Sequence, residues 1–249
     1  AAVVGPIIPP SIIMIIYAMQ DQRVSVIGLF MAGIVPGLLI ASTLCLVNWR
    51  VSRQRNYRSD APRPPLREMV RTTFYALPAL FLIVLIIGGI RSGIFTPTEA
   101  SVVAVFYGLF VGTLVYRTLG PREIYATLRD SAEISAVVLI IVALASIFAF
   151  AGSTVGAFDA LARTLLGLTD SGLVMKLMIT VIVLIAGMLI DAISIFLVFL
   201  PILVPIARQF GWDLTWFGIV LTMNIAIGAF TPPMAVNLMV TCKVAGCSI

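Results

Sequence analysis

The sequence contains no histidine and few charged residues of either sign. Without histidine, the chain cannot build imidazole metal sites or use histidine as a general acid or base. Charged residues make up only 11% of the 249 residues, whereas a soluble domain typically carries about 25%. Because so little charge cannot cover a surface in water, the composition excludes an ordinary soluble domain.

Cysteine is also scarce, which limits metal and redox chemistry. The three cysteines, Cys45, Cys242 and Cys247, form no C-x-x-C pair and lie in or beside apolar stretches. We interpret them as buried thiols rather than as a metal or redox site. The chain also lacks a phosphate-binding glycine-rich motif ending in lysine, which argues against ATP hydrolysis. With one central carboxylate and no histidine, it offers no nucleophile and base for an intramembrane enzyme.

Apolar residues are what the sequence has in abundance. They form 61% of the chain, and the mean hydropathy is +1.13. A spanning helix needs about 20 largely apolar residues, and several runs of that length are present. The sequence therefore predicts an all-α polytopic membrane protein. The predicted spans are 1–19, 24–48, 74–90, 100–116, 134–150 and 214–244, with a longer apolar block in between.

The net charge of +5 comes almost wholly from arginines in short segments between apolar runs. This placement favours the positive-inside rule over nucleic-acid binding. Segment 49–72 is predicted to be a cytoplasmic loop, and segment 117–133 a second loop on the same side. The arginines of the first are Arg50, Arg53, Arg55, Arg58, Arg63, Arg67 and Arg71, against Asp60 and Glu68.

Two further segments depart from simple spans. Segment 152–171 is predicted to hold a short amphipathic helix at the outer interface, with an ordinary loop helix as the alternative. The apolar block at about 173–208 is too long for one untilted crossing and carries Asp191 at its middle. A carboxylate at that depth must face protein or water. We favour a re-entrant hairpin that turns near Asp191, over two tight crossings or one long tilted helix.

A Gly-x-x-x-Pro-Pro motif occurs twice, at 5–10 (GPIIPP) and 228–233 (GAFTPP), inside the first and last predicted spans. Proline lacks the backbone donor, and the residue before it avoids helical conformations, so each motif is expected to break its helix. Freed carbonyls at such a break can hold a cation, and the restarting helix can face an anion. A plain proline kink is the alternative, although two copies make it less attractive.

Counting crossings predicts that the two motifs run in opposite directions. With 49–72 in the cytoplasm, the first motif runs outward, and a hairpin at 173–208 leaves the last span, 214–245, running inward. This predicts an inverted repeat, with 1–48 ending the first copy and 73–249 forming the second. If block 173–208 crossed the membrane once instead, the motifs would be parallel.

Three segments resemble signature segments of the large membrane subunit of tripartite ATP-independent periplasmic (TRAP) transporters. They are GPIIPPSIIMIIYA, GIFTPTEASVVAVFYGL, and a C-terminal run that includes GMLIDAISIFLVFLPILVPIARQF and IGAFTPPMAVNLMV. The resemblance implies sodium-driven uptake of small organic acids across the bacterial inner membrane. It implies two partners, a small membrane subunit and a periplasmic substrate-binding protein, and an elevator-type movement of inverted repeats.

The resemblance also implies which residues bind ligands. The cation-binding positions would be Gly5, Pro9, Ser11, Asp191, Ser194, Gly228, Thr231 and Pro232, and the substrate-binding positions Pro10, Pro233 and Asn237. Asp191 is open to two interpretations, a direct sodium ligand or a brace of the hairpin. Likewise, Ser11 and Thr231 could ligate sodium or satisfy freed backbone groups. For Asn237 we favour tying helices together over binding substrate. No cofactor besides sodium, and no transition metal, is expected.

The main alternative is another sodium- or proton-coupled secondary transporter, of the dicarboxylate/ion transporter type, that works without a binding protein. A channel would need a continuous polar lining, which these spans do not offer, and a scaffold would have no use for paired helix breaks. The chain starts and ends in or near apolar stretches, so we expect truncation at both ends. The partner hairpin of the first break would precede Ala1.

Overall fold

The structure is a computed structural model that describes residues 2–21, 23–57, 64–233 and 235–246. In these ranges the chain forms helices and turns without any strand, which confirms the predicted all-α polytopic class. The helices are α1 Ile12–Gln20, α2 Val26–Gln54, α3 Leu66–Arg91, α4 Pro97–Phe110, α5 Pro121–Thr154, α6 Ala157–Leu166, α7 Gly172–Leu189, α8 Ala192–Gln209, α9 Leu214–Gly228 and α10 Val236–Ala245. A 3-10 turn, Ala2–Val4, precedes α1, and a π-helical turn, Val111–Val115, extends α4.

Six helices of the described chain are long and apolar enough to cross a bilayer: α2, α3, α4 with its π-helical turn, α5, α7 and α8. Helix α9 differs because it has only 15 residues. At 1.5 Å per residue it extends about 22 Å, less than the roughly 30 Å of a hydrocarbon core. An α9 that starts at one membrane face therefore ends inside the bilayer, where its last carbonyls need partners other than water.

The helices extend further into the basic segments than the sequence analysis predicts. Helix α2 continues to Gln54 and α3 already begins at Leu66, both within the predicted loop 49–72. Likewise, α5 begins at Pro121, so most of the predicted loop 117–133 is helical. Hydropathy marks where a helix leaves the apolar core, whereas arginine and glutamate remain good helix formers beyond it. The loop residues Arg58, Asp60, Pro62 and Arg63 lie outside the described residues.

The chain forms two compact units, one of residues 42–135 and the other of residues 1–41 with 136–249. In the first unit, tyrosines join α4 and its π-helical turn to α3: the Tyr107 hydroxyl donates to the Pro78 carbonyl at 2.8 Å. The Tyr116 hydroxyl likewise donates to the Tyr75 carbonyl at 2.7 Å. Helix α4 starts with a capping box, in which the side chains of Thr96 and Glu99 each accept the backbone N–H of the other residue.

Helices α7 and α8 of the second unit form an antiparallel hairpin. Gly172 at the start of α7 lies next to Phe210 at the end of α8: a Cβ on Gly172 would lie 3.4 Å from the Phe210 ring. Lys176 also lies over the rings of Trp212 and Trp216, with Nζ at 5.1 and 4.7 Å from their centroids. We call this end the hairpin base. The opposite end, Ile190 and Asp191, is the hairpin tip, which divides the block 173–208 and excludes one long helix.

Helix α9 runs parallel to α7, with its start at the hairpin base and its end at the hairpin tip. The two backbones approach closely at the far end: a Cβ on Gly228 would lie 2.6 Å from the backbone carbon of Gly187. Helix α1 runs the other way. Tyr17, near its end, donates a hydrogen bond to the carbonyl of Leu214, the first residue of α9, at 2.7 Å. The half-helix after the first motif and the half-helix before the second are therefore antiparallel.

The close approach of Gly187 and Gly228 makes a steric prediction. We expect Gly228→Ala to lower the free energy of unfolding by roughly 1–3 kcal/mol, because the new methyl group would meet the backbone of α7. Thermal unfolding of the purified subunit in nanodiscs would measure this.

Gly88→Ala in α3 is the matched control. A Cβ on Gly88 would meet no atom within 4 Å, so this change should leave stability unchanged or raise it by up to about 1 kcal/mol through helix propensity. Equal melting temperatures for the two variants would contradict the close contact of α7 with α9.

Candidate functional site

The hairpin tip is built around the carboxylate of Asp191. Its Oδ2 accepts hydrogen bonds from the backbone N–H groups of Ile193 at 3.1 Å and Ser194 at 3.0 Å. Its Oδ1 accepts the Ser194 hydroxyl at 2.6 Å. Asp191 is thus the N-cap of α8, where a negative charge also complements the helix dipole. The sequence folds this way because an extended Ile190 ends α7 and Asp191 can satisfy the free N–H groups that follow it.

The second break separates α9 from α10 and satisfies much of its own backbone. The Thr231 hydroxyl donates to the Ile227 carbonyl at 2.8 Å, and the Thr231 N–H donates to the Gly228 carbonyl at 2.9 Å. Across the break, the N–H of Asn237 donates to the Ala229 carbonyl at 3.2 Å. The Pro232–Pro233 peptide is cis, and the buried Ala235 adopts a left-handed conformation with φ of 41°. The break is therefore a folded turn and not a frayed helix end.

The first break also uses a hydroxyl, that of Ser11, which follows the proline pair. The Ser11 hydroxyl donates to the Pro6 carbonyl at 2.6 Å and accepts the Met14 N–H at 3.4 Å, so Ser11 caps α1. The Pro9–Pro10 peptide is also cis. At each break a side-chain hydroxyl donates to a backbone carbonyl, that of Ser11 to Pro6 and that of Thr231 to Ile227. Ser11 and Thr231 thus form hydrogen bonds with backbone groups, and each hydroxyl oxygen retains acceptor capacity. Their role as sodium ligands stays a prediction.

Helix α2 packs its glycines directly against the first break. A Cβ on Gly33 would lie 2.6 Å from the Ile7 carbonyl oxygen, and one on Gly37 would lie 2.7 Å from the side chain of Ile8. Ile7 itself is fully buried. The first break is therefore held from one side by a surface that leaves no room for larger side chains.

A cavity of about 490 Å³ lies where the hairpin tip meets the second break. Asp191 and Asn237 are its polar side chains, and most of the remaining lining is apolar or glycine. The lining residues are Gly187, Leu189, Ile190, Asp191, Ala192, Ile225, Ala229, Ala235 and Asn237. An ionised carboxylate has about four acceptor positions, and the three hydrogen bonds described above leave one on Oδ1. Asp191 can therefore cap α8 and still offer an oxygen to a cation in this cavity.

The structure brings together some predicted site residues and not others. Asp191 and Asn237 line the cavity, Ser194 bonds to Asp191, and Gly228 contacts Gly187 at its edge. Asn237 also ties the two halves of the break through its backbone, as noted above. Thr231, Pro232 and Pro233 belong to the break but are not among the described lining residues. The same holds for the first-break positions Gly5, Pro9, Pro10 and Ser11. Their roles in binding stay predictions.

Sequence reasoning missed two polar features of this unit. Asn224 in α9 is 7% exposed, and its Nδ2 has no hydrogen-bond partner among the described residues. Asp21, after α1, is 8% exposed and pairs with Arg208 at the end of α8. An asparagine inside an apolar helix is a visible signal. The ion pair joins residues 187 positions apart, which no local pattern reveals.

These features define a class of protein. Multiple apolar helices, two proline breaks flanked by the antiparallel helices α1 and α9, and a cavity with two polar side chains at a hairpin tip are the architecture of membrane transport proteins with discontinuous helices.

Comparison with known proteins identifies the family. The family model described as "Tripartite ATP-independent periplasmic transporter, DctM component" matches residues 1–249, and the chain belongs to this family. It is 39% identical to the C4-dicarboxylate TRAP transporter large permease protein DctM of Pseudomonas aeruginosa, over 99% of this chain and 57% of that protein. It is 36% identical to the sialic acid TRAP transporter permease protein SiaT of Haemophilus influenzae, over 100% of this chain and 40% of that protein. It is also 36% identical to the isethionate TRAP transporter permease protein DctMQ of Oleidesulfovibrio alaskensis, over 100% of this chain and 39% of that protein.

The family membership confirms the resemblance inferred from the three sequence segments. The relatives are transporter permeases and not enzymes, as the sequence analysis expects. The chain spans only 39% to 57% of the length of these relatives.

The capping geometry of Asp191 makes a prediction about stability. Asp191→Ala should lower the free energy of unfolding by about 0.5–2 kcal/mol, because α8 loses its N-cap, whereas asparagine caps almost as well as aspartate. Thermal unfolding of both variants, in the same nanodiscs as the unchanged protein, would test this. A loss of stability in Asp191→Asn equal to that in Asp191→Ala would contradict the capping role.

Proposed function

We propose that this chain forms the C-terminal part of the large permease of a sodium-coupled TRAP importer of small organic acids. It would work in the bacterial inner membrane with a small membrane subunit and a periplasmic substrate-binding protein. The observation that carries this proposal is the cavity in which the Asp191 carboxylate faces the second helix break. Family membership supplies the transporter class, whereas the coupling ion, the partners and the substrate class are our proposals.

Sodium is the cation that best suits this cavity. Its ligands would be oxygens, namely the remaining Oδ1 position of Asp191, the Asn237 amide and backbone carbonyls of the tip and the break. Oxygen ligands suit hard cations, and soft or transition metals prefer thiolate and imidazole, which the described lining does not offer. A cation there would also join the tip of the hairpin to the break beside it.

The charge of the cavity explains why transport of an anion would need the cation. The described lining carries one acidic side chain, Asp191, and no basic one. An organic anion alone would meet a like charge in a medium of low dielectric constant, where repulsion is strong. A bound sodium ion offsets the charge of Asp191, and a second would make the site attractive to a carboxylate or sulfonate. Substrate binding would then depend on sodium.

The proposed substrate class follows from the family. The relatives named above are transporters of a C4-dicarboxylate, of sialic acid and of isethionate, and another is named for 2,3-diketo-L-gulonate. All of these are small organic anions. The proposed elevator movement would carry the hairpin and the second break together, because Gly187 and Gly228 leave no space between their backbones.

Sodium-driven uptake in liposomes tests the proposal. The complete large subunit, with its small subunit and binding protein, would be given radiolabelled C4-dicarboxylate, sialic acid and isethionate, with and without an inward sodium gradient. We expect uptake of at least one of these anions to need the gradient. Asp191→Asn should raise the half-saturating sodium concentration about tenfold or more, because it keeps the cap of α8 but removes the charge.

Asp170→Asn is the control, since Asp170 is an exposed carboxylate that is not among the described lining residues. It should leave the sodium dependence unchanged. Uptake that follows a proton gradient and ignores sodium, or unchanged sodium dependence in Asp191→Asn, would overturn the proposed sodium site. Uptake without the binding protein would favour a simpler secondary transporter.

A further inference from the structure

The end of α1 is fastened to α8 and to the start of α9 by three contacts. The nearly buried Asp21 forms an ion pair with Arg208, which is half exposed at the end of α8. The Tyr17 hydroxyl donates to the Leu214 carbonyl at 2.7 Å. The Tyr17 ring also lies against Gly218 and against Phe196, whose centroid is 5.6 Å away. The ion pair, the hydrogen bond and the ring contacts therefore all involve Tyr17 and Asp21, which are about one helical turn apart.

Asp21 is held as a charged group at this position. Its Oδ1 accepts the backbone N–H of Arg23 at 3.0 Å, and its Oδ2 accepts the Arg208 guanidinium. Burial raises the pKa of Asp21, but the Arg23 N–H and the Arg208 guanidinium outweigh it and hold that pKa below its usual value. A carboxylate so shielded from water is costly without its partner, so the pair resists separation of α1 from α8.

Helices α1 and α8 connect this attachment point to the first break and to the hairpin tip, respectively. Ser11 at the first break stands ten residues before Asp21, about 15 Å along α1, and Asp191 stands 17 residues before Arg208, about 26 Å along α8. Helices α1 and α8 run in the same direction and are in contact. A slip of α1 along α8 by one turn, about 5.4 Å, would break the ion pair and move the first break relative to the hairpin tip.

We propose that Asp21 and Arg208 are positioning residues that set the axial register of α1 on α8, and so hold the first break at a fixed distance from the hairpin tip. The proposal rests on the proposed function, because the register matters only if both breaks serve the transported ions and substrate. The pair acts at a distance and does not itself touch the cavity lining. It joins the break of one predicted repeat to the hairpin of the other.

Sodium titration of uptake tests this role in the complete transporter. Asp21→Asn and Arg208→Gln should each raise the half-saturating sodium concentration at least threefold. The maximal rate per folded molecule, counted by size-exclusion chromatography, should change less than twofold. The exchange of both residues, Asp21→Arg with Arg208→Asp, should return the half-saturating concentration towards that of the unchanged protein. Asp213→Asn, which should keep the N-cap of α9 at the same base, is the matched control and should leave it unchanged.

The outcomes are distinct from those that test the proposed function. If the unchanged protein ignores sodium, the proposed function fails, and the same variants are then judged by the half-saturating substrate concentration. If the unchanged protein needs sodium but Asp21→Asn and Arg208→Gln lower only the amount of folded protein, the pair merely stabilises the fold and the proposal is overturned. Failure of the exchanged pair to restore the half-saturating concentration, in protein that folds, also overturns it.

Discussion

The backbone of a helix that ends inside a bilayer must find hydrogen-bond partners within the protein, because hydrocarbon offers none. The second unit of this structure, residues 1–41 with 136–249, contains two breaks that satisfy much of their backbone internally. At each of the two proline pairs a side-chain hydroxyl donates to a backbone carbonyl: Ser11 to Pro6 and Thr231 to Ile227. Asp191 answers the same need at the hairpin tip, where it accepts the free N–H groups at the start of α8.

The groups that satisfy the broken backbone are also the groups that can bind ions. Because Asp191 uses three of about four acceptor positions to cap α8, the interpretations of brace and ligand do not exclude each other. The hydroxyls of Ser11 and Thr231 likewise donate to backbone carbonyls and retain acceptor capacity, although the Ser11 oxygen also accepts the Met14 N–H. In the proposed site, hydrogen bonds orient the Asp191 carboxylate without an ion, and its oxygens lie in an otherwise apolar cavity. Such pre-organisation is what selective binding of a small cation needs.

Much of the architecture could be predicted from the sequence, since its causes are local. Composition predicts a membrane environment, and the proline pairs predict the two breaks. The carboxylate of Asp191 within an apolar block predicts the division there. The helix ends were harder to predict, because hydropathy indicates the membrane boundary and not the helix boundary. Helix α5, for example, extends through a segment that contains arginine and glutamate. Likewise, α9 is too short to cross the membrane because it has only 15 residues, and this length is a matter of geometry and not of composition.

The candidate site was predicted only in part, because its assembly depends on long-range contacts. Asp191 and Asn237 meet at one cavity because Gly187 lets α9 approach α7. The sequence around a glycine in an apolar run does not show which helix packs against it. The pair of Asp21 with Arg208 depends on tertiary packing in the same way. So does the buried Asn224, whose Nδ2 has no hydrogen-bond partner within the described part of the chain. Nothing in the described cavity lining brings the first break to this site, although the two sequence motifs are alike.

The central claim is that the cavity between the hairpin tip and the second break binds sodium through Asp191. Calorimetric titration of the purified complete subunit with sodium chloride, against potassium chloride as the reference salt, tests it without any transport assay. We expect saturable heat with sodium, none with potassium, and a strongly weakened isotherm for Asp191→Asn in protein that melts at the same temperature. Identical isotherms for the unchanged protein and Asp191→Asn would contradict it.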